Sequence, residues 1–483
     1  MSTRDPRSPV DPALRRLTYT LIVGALAVIF DTTIMSVAID DLAGQLHTPL
    51  ATVQWVSTAY LLALSATMPA VGWAQSVLGG KRLWLLALAL FLAGSVLCAA
   101  AWNAPSLIAF RVVQGVGGGV MMVLMATLVM QAAEGRNTGR VMALITVPTA
   151  LGPVIGPVLG GAILHLGDWR WIFLFNIPFC LAGGYLARRN LPDDGPRPGR
   201  APRPDVVGML LLLPGITAVV YGLTQLGGPF LLLGAALLAG YVAWALRRGD
   251  DALLDIRLLR HRALASSTAL LLLAGAALYG AMLLMPLYWQ QVRGESALGA
   301  ALLLIPQGLG TLLSRSLAGR YMDRIGARPV AVTAFAVTLA ATVPFGFVTA
   351  TTDNALLMAA LFARGLGLGA AMIALMGGAY AGLRHEDIPA ASGISRVTQQ
   401  IGGSLGTALL VVILQRTTAD THTRAALATG FATAFWWTAA ITAAALPLCL
   451  LLPRRAAAER AASAPVAASG SEGAAAVDEP ARR

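Results

Sequence analysis

The sequence predicts an all-α integral membrane protein with fourteen transmembrane helices, and three observations carry that prediction. Only 12% of the 483 residues are charged and 57% are hydrophobic, whereas soluble domains carry roughly 25% charged residues. Apolar runs recur from Leu17 to Leu452, each near the about 20 residues that a helix needs to cross a ~30 Å hydrocarbon core. Basic residues crowd into alternate loops and nearly desert the others, the asymmetry expected when alternate loops face the cytoplasm.

Hydropathy places the first six spans near 15–40, 52–76, 83–101, 104–131, 138–166 and 170–188. Two more lie near 206–226 and 229–247, and the last six near 262–290, 297–320, 329–349, 354–382, 390–415 and 426–452. With the N-terminus inside, the exterior loops hold only Arg170, Arg293, Arg416 and Arg424. Arg111, Arg315, Arg364 and Arg396 fall within spans, and the remaining 27 of the 35 basic residues are interior. An odd span count would scatter that charge, so an even count with both termini cytoplasmic is expected.

The segment RNLPDDGPRPGRAPRPD over 189–205 reads as a cytoplasmic linker between helix groups. The 250–262 stretch alternates charge with leucine and is expected to form an interfacial amphipathic helix. Its Asp250, Asp251 and Asp255 read as a solvated face rather than a metal cluster. The organisation is therefore a cytoplasmic tail (1–14), a six-helix bundle (15–190), linker plus two extra helices plus interfacial helix (191–260), a second six-helix bundle (261–453), and a disordered cytoplasmic tail (454–483).

Other function classes fit poorly. The net charge of +12 would suit nucleic acid, but the basic residues sit between apolar spans. Cys98, Cys180 and Cys449 each lie inside an apolar run with no metal or redox spacing, and read as packing residues. The five histidines are scattered in or beside loops, so neither a metal site nor a nucleophile–base set is expected, and no cofactor. Gly115-Val-Gly117-Gly118-Gly119 lacks the Lys-Ser/Thr of a phosphate loop and lies inside a span. The first apolar run is too long for a signal-peptide core and contains Asp31. One lysine against 34 arginines fits a GC-rich bacterial genome.

Motifs recur across the chain. Gly72-Trp-Ala-Gln-Ser76-Val-Leu-Gly79-Gly80-Lys81 matches Gly319-Arg-Tyr-Met-Asp323-Arg324-Ile-Gly326-Ala-Arg328, Arg111 matches Arg364, and Gly156 and Gly160 match Gly402 and Gly406. An offset of about 250 residues each time means two similar six-helix halves, with the substrate site expected at their interface.

Further motifs are Phe30-Asp31-Thr32-Thr33 in span 1, Gln54-Trp55-Val56-Ser57-Thr58-Ala59-Tyr60 in span 2, and Arg111-Val-Val-Gln114-Gly115 in span 4. Gly152-Pro153-Val-Ile-Gly156-Pro157-Val-Leu-Gly160 follows in span 5, and Trp169-Arg170-Trp171 through Asn176-Ile-Pro178 opens span 6. In joint order and spacing, over about residues 15–452, the chain resembles the major facilitator superfamily, specifically its fourteen-span drug:proton antiporter branch. The resemblance implies a major facilitator fold of two six-helix bundles with two inserted helices. Three positions depart from that pattern. Ser76 stands where an Asp is usual, which removes one charge from a cytoplasmic latch. Ser36 replaces an Asn, and Asp40 replaces a Pro near the outer end of the helix.

Charges inside a bilayer cost a few kcal/mol, so they are functional candidates. Asp31 lies ~22 Å from the inner face by helix rise, and Arg111 ~21 Å, so a direct or water-bridged pair is expected. Asp31 is the candidate proton carrier, and Arg111 the charge that sets its ionisation; the alternative is an ion pair that only fixes helix packing. The substrate-cavity candidates are Thr32, Ser36, Gln114, Asn176, Gln307, Arg364 and Gln399. Arg364 either lines the cavity or pairs with backbone carbonyls. Arg396 with Gln399 or Gln400 is a gating candidate, and Arg315 is expected to snorkel. Tyr60, Tyr279, Tyr288 and Trp289 read as interfacial or packing residues. The gating motifs comprise Gly72, Ser76, Gly79, Gly152, Pro153, Gly156, Pro157, Gly160, Gly319, Asp323, Arg324 and Gly326. The stripe Gly152, Gly156, Gly160 either packs helices closely or forms a flexible closure seam.

The resemblance implies a proton-coupled antiporter, not an enzyme, exporting small amphiphilic drugs or antibiotics across a bacterial plasma membrane. Its partners are substrate, protons and lipid, without nucleic acid, and it is expected to be monomeric. With one well-buried acid and several arginines, a neutral or anionic amphiphile fits better than a multication. The alternatives are export of an endogenous metabolite or self-made antibiotic and, less favoured, a membrane-embedded enzyme.

Overall fold

A computed structural model describes residues 11–133, 138–193, 205–225, 228–249, 252–383, 387–418 and 423–453. The terminal tails beyond these bounds, most of the Pro/Arg-rich linker, Asp250 and Asp251, and several side chains, among them those of Pro153, Arg315 and Asp323, lie outside the described residues.

The described residues are all helical, turn or coil. The first six long helices are α1 (Pro12–Gln45), α2 (Leu50–Leu78), α3 (Gly80–Ala99), α4 (Ala104–Ala133), α5 (Thr138–Leu166) and α6 (Arg170–Asn190). The next two are α7 (Val206–Gln225) and α8 (Gly228–Arg248). The last six are α9 (Arg262–Val292), α10 (Ala297–Leu303, continuing as Ile305–Ile325), α11 (Ala327–Phe347), α12 (Asn354–Ala379), α13 (Ile388–Thr418) and α14 (Arg424–Cys449). Among the described residues, thirteen helices are long and apolar enough to cross a membrane, and the 29-residue α5 occupies the position of the remaining span.

Local sequence explains their ends and bends. Asp11, Ser296, Asp353 and Thr423 cap helix N-termini by accepting from backbone N–H groups. Pro69 lies in a 3₁₀ turn over Met68–Ala70 that interrupts α2, and Pro344 lies in another over Val343–Phe347 at the end of α11. Gly79 (φ 97°) and Gly326 (φ 88°) turn the chain between α2 and α3 and between α10 and α11. A side chain at either would be strained there, so the repeat recognised in sequence is also a backbone repeat.

Helices α1–α6 pack mainly on one another, as do α9–α14, and α7 packs on α8 while touching both α2 and α13. The two groups meet along α2/α13, α5/α10 and α1/α9. At the end where α1 finishes, one large apolar cluster joins both groups, with Ile34, Val37, Phe173, Trp289, Phe345 and Phe431 fully or almost fully buried. Leu86, Leu210 and Leu232 are exposed on the outer surface, as suits helices whose solvent is lipid.

The expected interfacial helix at 250–262 is corrected. Its described part is a 3₁₀ turn over Ile256–Arg260, capped by Asp255, which also pairs with Arg257 at 2.9 Å. Non-helical backbone at Asp255 (ψ 86°) and His261 (ψ 113°) bounds that turn on both sides.

Candidate functional site

Five helices of the first group converge on Asp31. Its Oδ2 accepts from Arg111 Nη1 at 2.6 Å. Its Oδ1 accepts from Gln114 Nε2 at 3.0 Å and from Asn176 Nδ2 at 3.1 Å. Arg111 Nη1 also donates to Gln114 Oε1 at 2.6 Å, and Arg111 Nε to the Val56 carbonyl at 3.1 Å. Both amides donate to Ser95 Oγ, at 2.7 Å from Gln114 and 3.2 Å from Asn176. The Tyr60 ring lies 3.9 Å from the guanidinium carbon, a cation–π contact in a desolvated setting. Asp31, Arg111, Gln114 and Asn176 are all 0% exposed.

Every group around Asp31 donates and none accepts from it, so the arrangement complements the ionised carboxylate. Two polar atoms in the cluster, Arg111 Nη2 and Asn176 Oδ1, have no hydrogen-bond partner among the described residues. One spare donor and one spare acceptor give the network somewhere to rearrange when the carboxylate gains a proton.

A small cavity of about 40 Å³ touches this cluster; its walls include Arg111, Tyr60, Thr32, Ser36, Gln54 and Tyr279. A second cavity of about 190 Å³ lies between the two helix groups, with Thr32, Thr33, Tyr279, Arg396, Gln399 and Gln400 in its lining. Thr32 and Tyr279 line both. Thr32 Oγ1 lies 3.4 Å from the Tyr60 hydroxyl, so the wall of the larger cavity reaches the side chain whose ring covers the Arg111 guanidinium.

Of the sequence-derived cavity candidates, Thr32, Ser36 and Gln399 stand on cavity walls. Gln114 and Asn176 are placed elsewhere, in the hydrogen-bond shell of Asp31, because their amides supply the donors that a buried carboxylate requires. Arg364 and Gln307 meet each other in the second group. Arg364 is 0% exposed and donates to Ala277 O (2.8 Å), Gln307 Oε1 (3.1 Å) and Thr342 Oγ1 (3.3 Å). Neutral acceptors therefore hold it inside the second group, the carbonyl-pairing alternative left open by sequence.

The glycine stripe packs α5 onto α1: a Cβ at Gly152 would strike Ile29, at Gly156 Thr33, and at Gly160 Ile34 and Val37. Gly402 and Gly406 repeat the arrangement of α13 on α9, against Leu272 and Ala276. Pro157 is buried within the same stretch of α5. At the other motif, Ser76 Oγ donates to Trp73 O of its own helix at 2.7 Å, while Gln75 donates to Gln131 of α4 at 2.9 Å. A Cβ at Gly72 or Gly319 would meet nothing, and Arg324 lies in the last turn of α10. Asp40 accepts from Gln291 of α9 at 2.6 Å, and Val37 O from Gln290 at 3.2 Å, so the departure at Asp40 ties the two groups together at their closed end.

Sequence reasoning missed Ser95 and placed Tyr60 and Tyr279 among packing or interfacial residues. Ser95 is one hydroxyl in an otherwise apolar stretch of α3, a faint signal. Tyr60 ends the polar motif that begins at Gln54, and that context could have marked it.

The family model described as Major Facilitator Superfamily matches residues 21–407. A "Multidrug resistance protein B homolog" of Mycobacterium tuberculosis (strain ATCC 25618 / H37Rv) is 36% identical over 417 residues, covering 84% of this chain and 77% of that one. A "Putative multidrug resistance protein MdtD" of Yersinia enterocolitica (serotype O:8 / biotype 1B, strain NCTC 13174 / 8081) is 29% identical over 83% of this chain and 87% of its own. Among solved structures, a D-xylose-proton symporter superposes with a TM-score of 0.67 at 13% identity, over 91% of this chain and 98% of that one. A bacterial homologue of the human lysosomal transporter Spinster, in an inward-facing conformation, superposes at 0.65 and 13% identity, over 94% and 98%. At such identities these two speak for the fold alone. The family match and the mycobacterial relative settle the assignment: this chain belongs to the major facilitator superfamily.

Proposed function

We propose that this protein is a proton-coupled antiporter that exports small amphiphilic drugs or antibiotics across the bacterial plasma membrane. One observation carries the reading: a carboxylate with no solvent exposure, Asp31, paired to Arg111 and linked through Tyr60 and Thr32 to a cavity between the two helix groups. The names of the mycobacterial and Yersinia relatives point the same way.

Asp31 is the proton carrier in this scheme. Ionised, it satisfies Arg111, Gln114 and Asn176 at once. Protonation cancels its charge and frees the guanidinium, which must find another acceptor or draw in water, because an unpaired buried charge is costly. A substrate reaching Thr32 meets the Tyr60 hydroxyl, and the Tyr60 ring lies on Arg111. Binding and protonation thus act on one guanidinium from opposite sides. The glycine-packed seams let α1 move with α5 and α9 with α13, so each six-helix unit rocks as a body.

In this reading 15–190 and 261–453 are the two moving units, 191–260 joins them, both termini are cytoplasmic and the working unit is a monomer. Gly72, Ser76, Gly79, Gly319, Asp323, Arg324 and Gly326 form the cytoplasmic turns that close as the cavity shuts. The test is transport into everted membrane vesicles carrying the protein. An imposed pH gradient should drive uptake of a dye or antibiotic panel, and a protonophore should abolish it. Uptake driven equally well without a gradient would overturn the antiport reading.

A further inference from the structure

The 190 Å³ cavity has an asymmetric lining. From the first group come the apolar side chains of Val28, Ile29, Leu64, Met68 and Met122, with the threonines of α1. From the second come Tyr279 and, on one face of α13, Arg396, Gln399 and Gln400 at i, i+3 and i+4. Arg396 is exposed on that wall, and the described lining residues include no carboxylate. Among the described residues no side chain accepts a hydrogen bond from Arg396 and no acid pairs with it. Gln400 Oε1 is buried without a partner, and Gln399 Nε2 has only the Met372 sulfur, at 3.3 Å. The acid nearest in sequence to the lining, Asp31, is already committed to Arg111.

An exposed guanidinium on a largely apolar cavity wall, with no carboxylate among the described lining residues, attracts an anion. We infer that this cavity selects anionic amphiphiles, with Arg396 binding a carboxylate or phenolate head group while the apolar wall of α1, α2 and α4 takes the body. Arg396 is thereby the specificity-determining residue, flanked by the amides of Gln399 and Gln400. A permanent cation is repelled by the same charge. The inference deepens the antiport reading and rests on it for the direction of transport. At one proton per cycle, export of a monoanion against an inward proton moves two charges, a neutral compound moves one and a monocation moves none. Anion export should therefore respond to membrane potential more steeply than export of a neutral analogue.

The test uses 2-naphthoate and its uncharged analogue 2-naphthamide. Binding to the detergent-purified protein is read by calorimetry, and transport in proteoliposomes with a pH gradient and a valinomycin-set potential. Wild type should bind naphthoate more tightly than the amide. Arg396→Gln should weaken naphthoate by about 10- to 100-fold and leave the amide within twofold, whereas Arg396→Lys should retain most naphthoate affinity. Because Arg396 has no acceptor among the described residues to lose, the Gln variant should match wild type in thermal unfolding. Equal binding of acid and amide, or an Arg396→Gln variant with unchanged naphthoate affinity, would overturn the inference. Arg396-dependent naphthoate binding without gradient-driven transport would instead overturn the antiport reading and leave this one standing. Gradient-driven transport without discrimination would do the reverse.

Discussion

Replacing Asp31 by asparagine tests the charge cluster most directly, because the change is isosteric and every donor around the site is known. The new amide can keep its oxygen toward Arg111. Its NH₂ would then face Gln114 Nε2 and Asn176 Nδ2, which in the wild type donate to the Asp31 Oδ1 at 3.0 and 3.1 Å. Turning those two amides over would relieve the clash, but it would take the Gln114 oxygen from Arg111 Nη1, where it sits at 2.6 Å. Either way Arg111, 0% exposed, keeps its charge without a counter-charge. Breaking a buried pair from one side costs about 3–5 kcal/mol. Removing both charges, as in Asp31→Asn with Arg111→Gln, should recover at least half of that, because no lone ion remains. The assay pairs thermal unfolding of the purified variants with transport in proteoliposomes. Asp31→Asn should unfold well below wild type, lose uphill pH-driven efflux, and keep substrate counterflow; the double variant should regain stability but not coupling. An Asp31→Asn protein with wild-type stability and full gradient response would refute both the energetics and the proton-carrier role.

Four other outcomes are expected. Gly79→Ala and Gly326→Ala each place a side chain at positive φ with ψ near 160°, a region essentially reserved for glycine, and should each cost about 1–3 kcal/mol by thermal unfolding, while Gly72→Ala, with open space around it, should be neutral. Gly156→Val should prevent α5 from seating on Thr33 of α1 and give little folded protein by size-exclusion chromatography. Arg364→Gln should lower stability by about 2–3 kcal/mol by stranding the Ala277 carbonyl and Gln307, but retain proton coupling in the transport assay. Asp205, at the start of α7, holds the helix pair to the following loop. It accepts from Gly208 N (3.0 Å), Trp244 Nε1 (2.8 Å) and Leu253 N (2.8 Å). Burial alone would raise its pKa, but these donors and Arg248 hold it below the ordinary carboxylate value. The stability it contributes is present above the unfolded-state pKa and is lost as pH falls through the lower folded one. The protection factor of the Leu253 amide, its exchange rate measured against the intrinsic rate at the same pH, should therefore fall on acidification through that window in wild type, and be low throughout in Asp205→Asn.

Much of this was legible in the chain, for identifiable reasons. The series of long apolar helices follows from apolar run length against bilayer thickness, and the turn glycines were visible because Gly79 and Gly326 recur in the same motif. The depths of Asp31 and Arg111 followed from helix rise, and their pairing needed only that spans 1 and 4 be neighbours. The amides misled. Gln114 and Asn176 look the same in sequence whether they face a cavity or a carboxylate, because the difference is helix rotation, which hydropathy does not encode. Arg364 illustrates the same limit: its equivalence to Arg111 was readable, but the second group offers it Ala277 O, Gln307 and Thr342 instead of an acid.

Sequence alone determined that lipid is this protein's solvent, that long apolar helices meet it, and that the two halves repeat. These are properties of run length, charge bias and local backbone requirements, each readable within one segment. Tertiary structure alone decided which polar groups meet: that Ser95 and Tyr60 join the Asp31 cluster, that Arg364 is satisfied by neutral acceptors, and that Arg396 faces an apolar wall without an acid among the described residues. Those outcomes depend on how helices far apart in the chain rotate about their axes and settle against one another, and small-residue packing across α1/α5 and α9/α13 fixes that rotation.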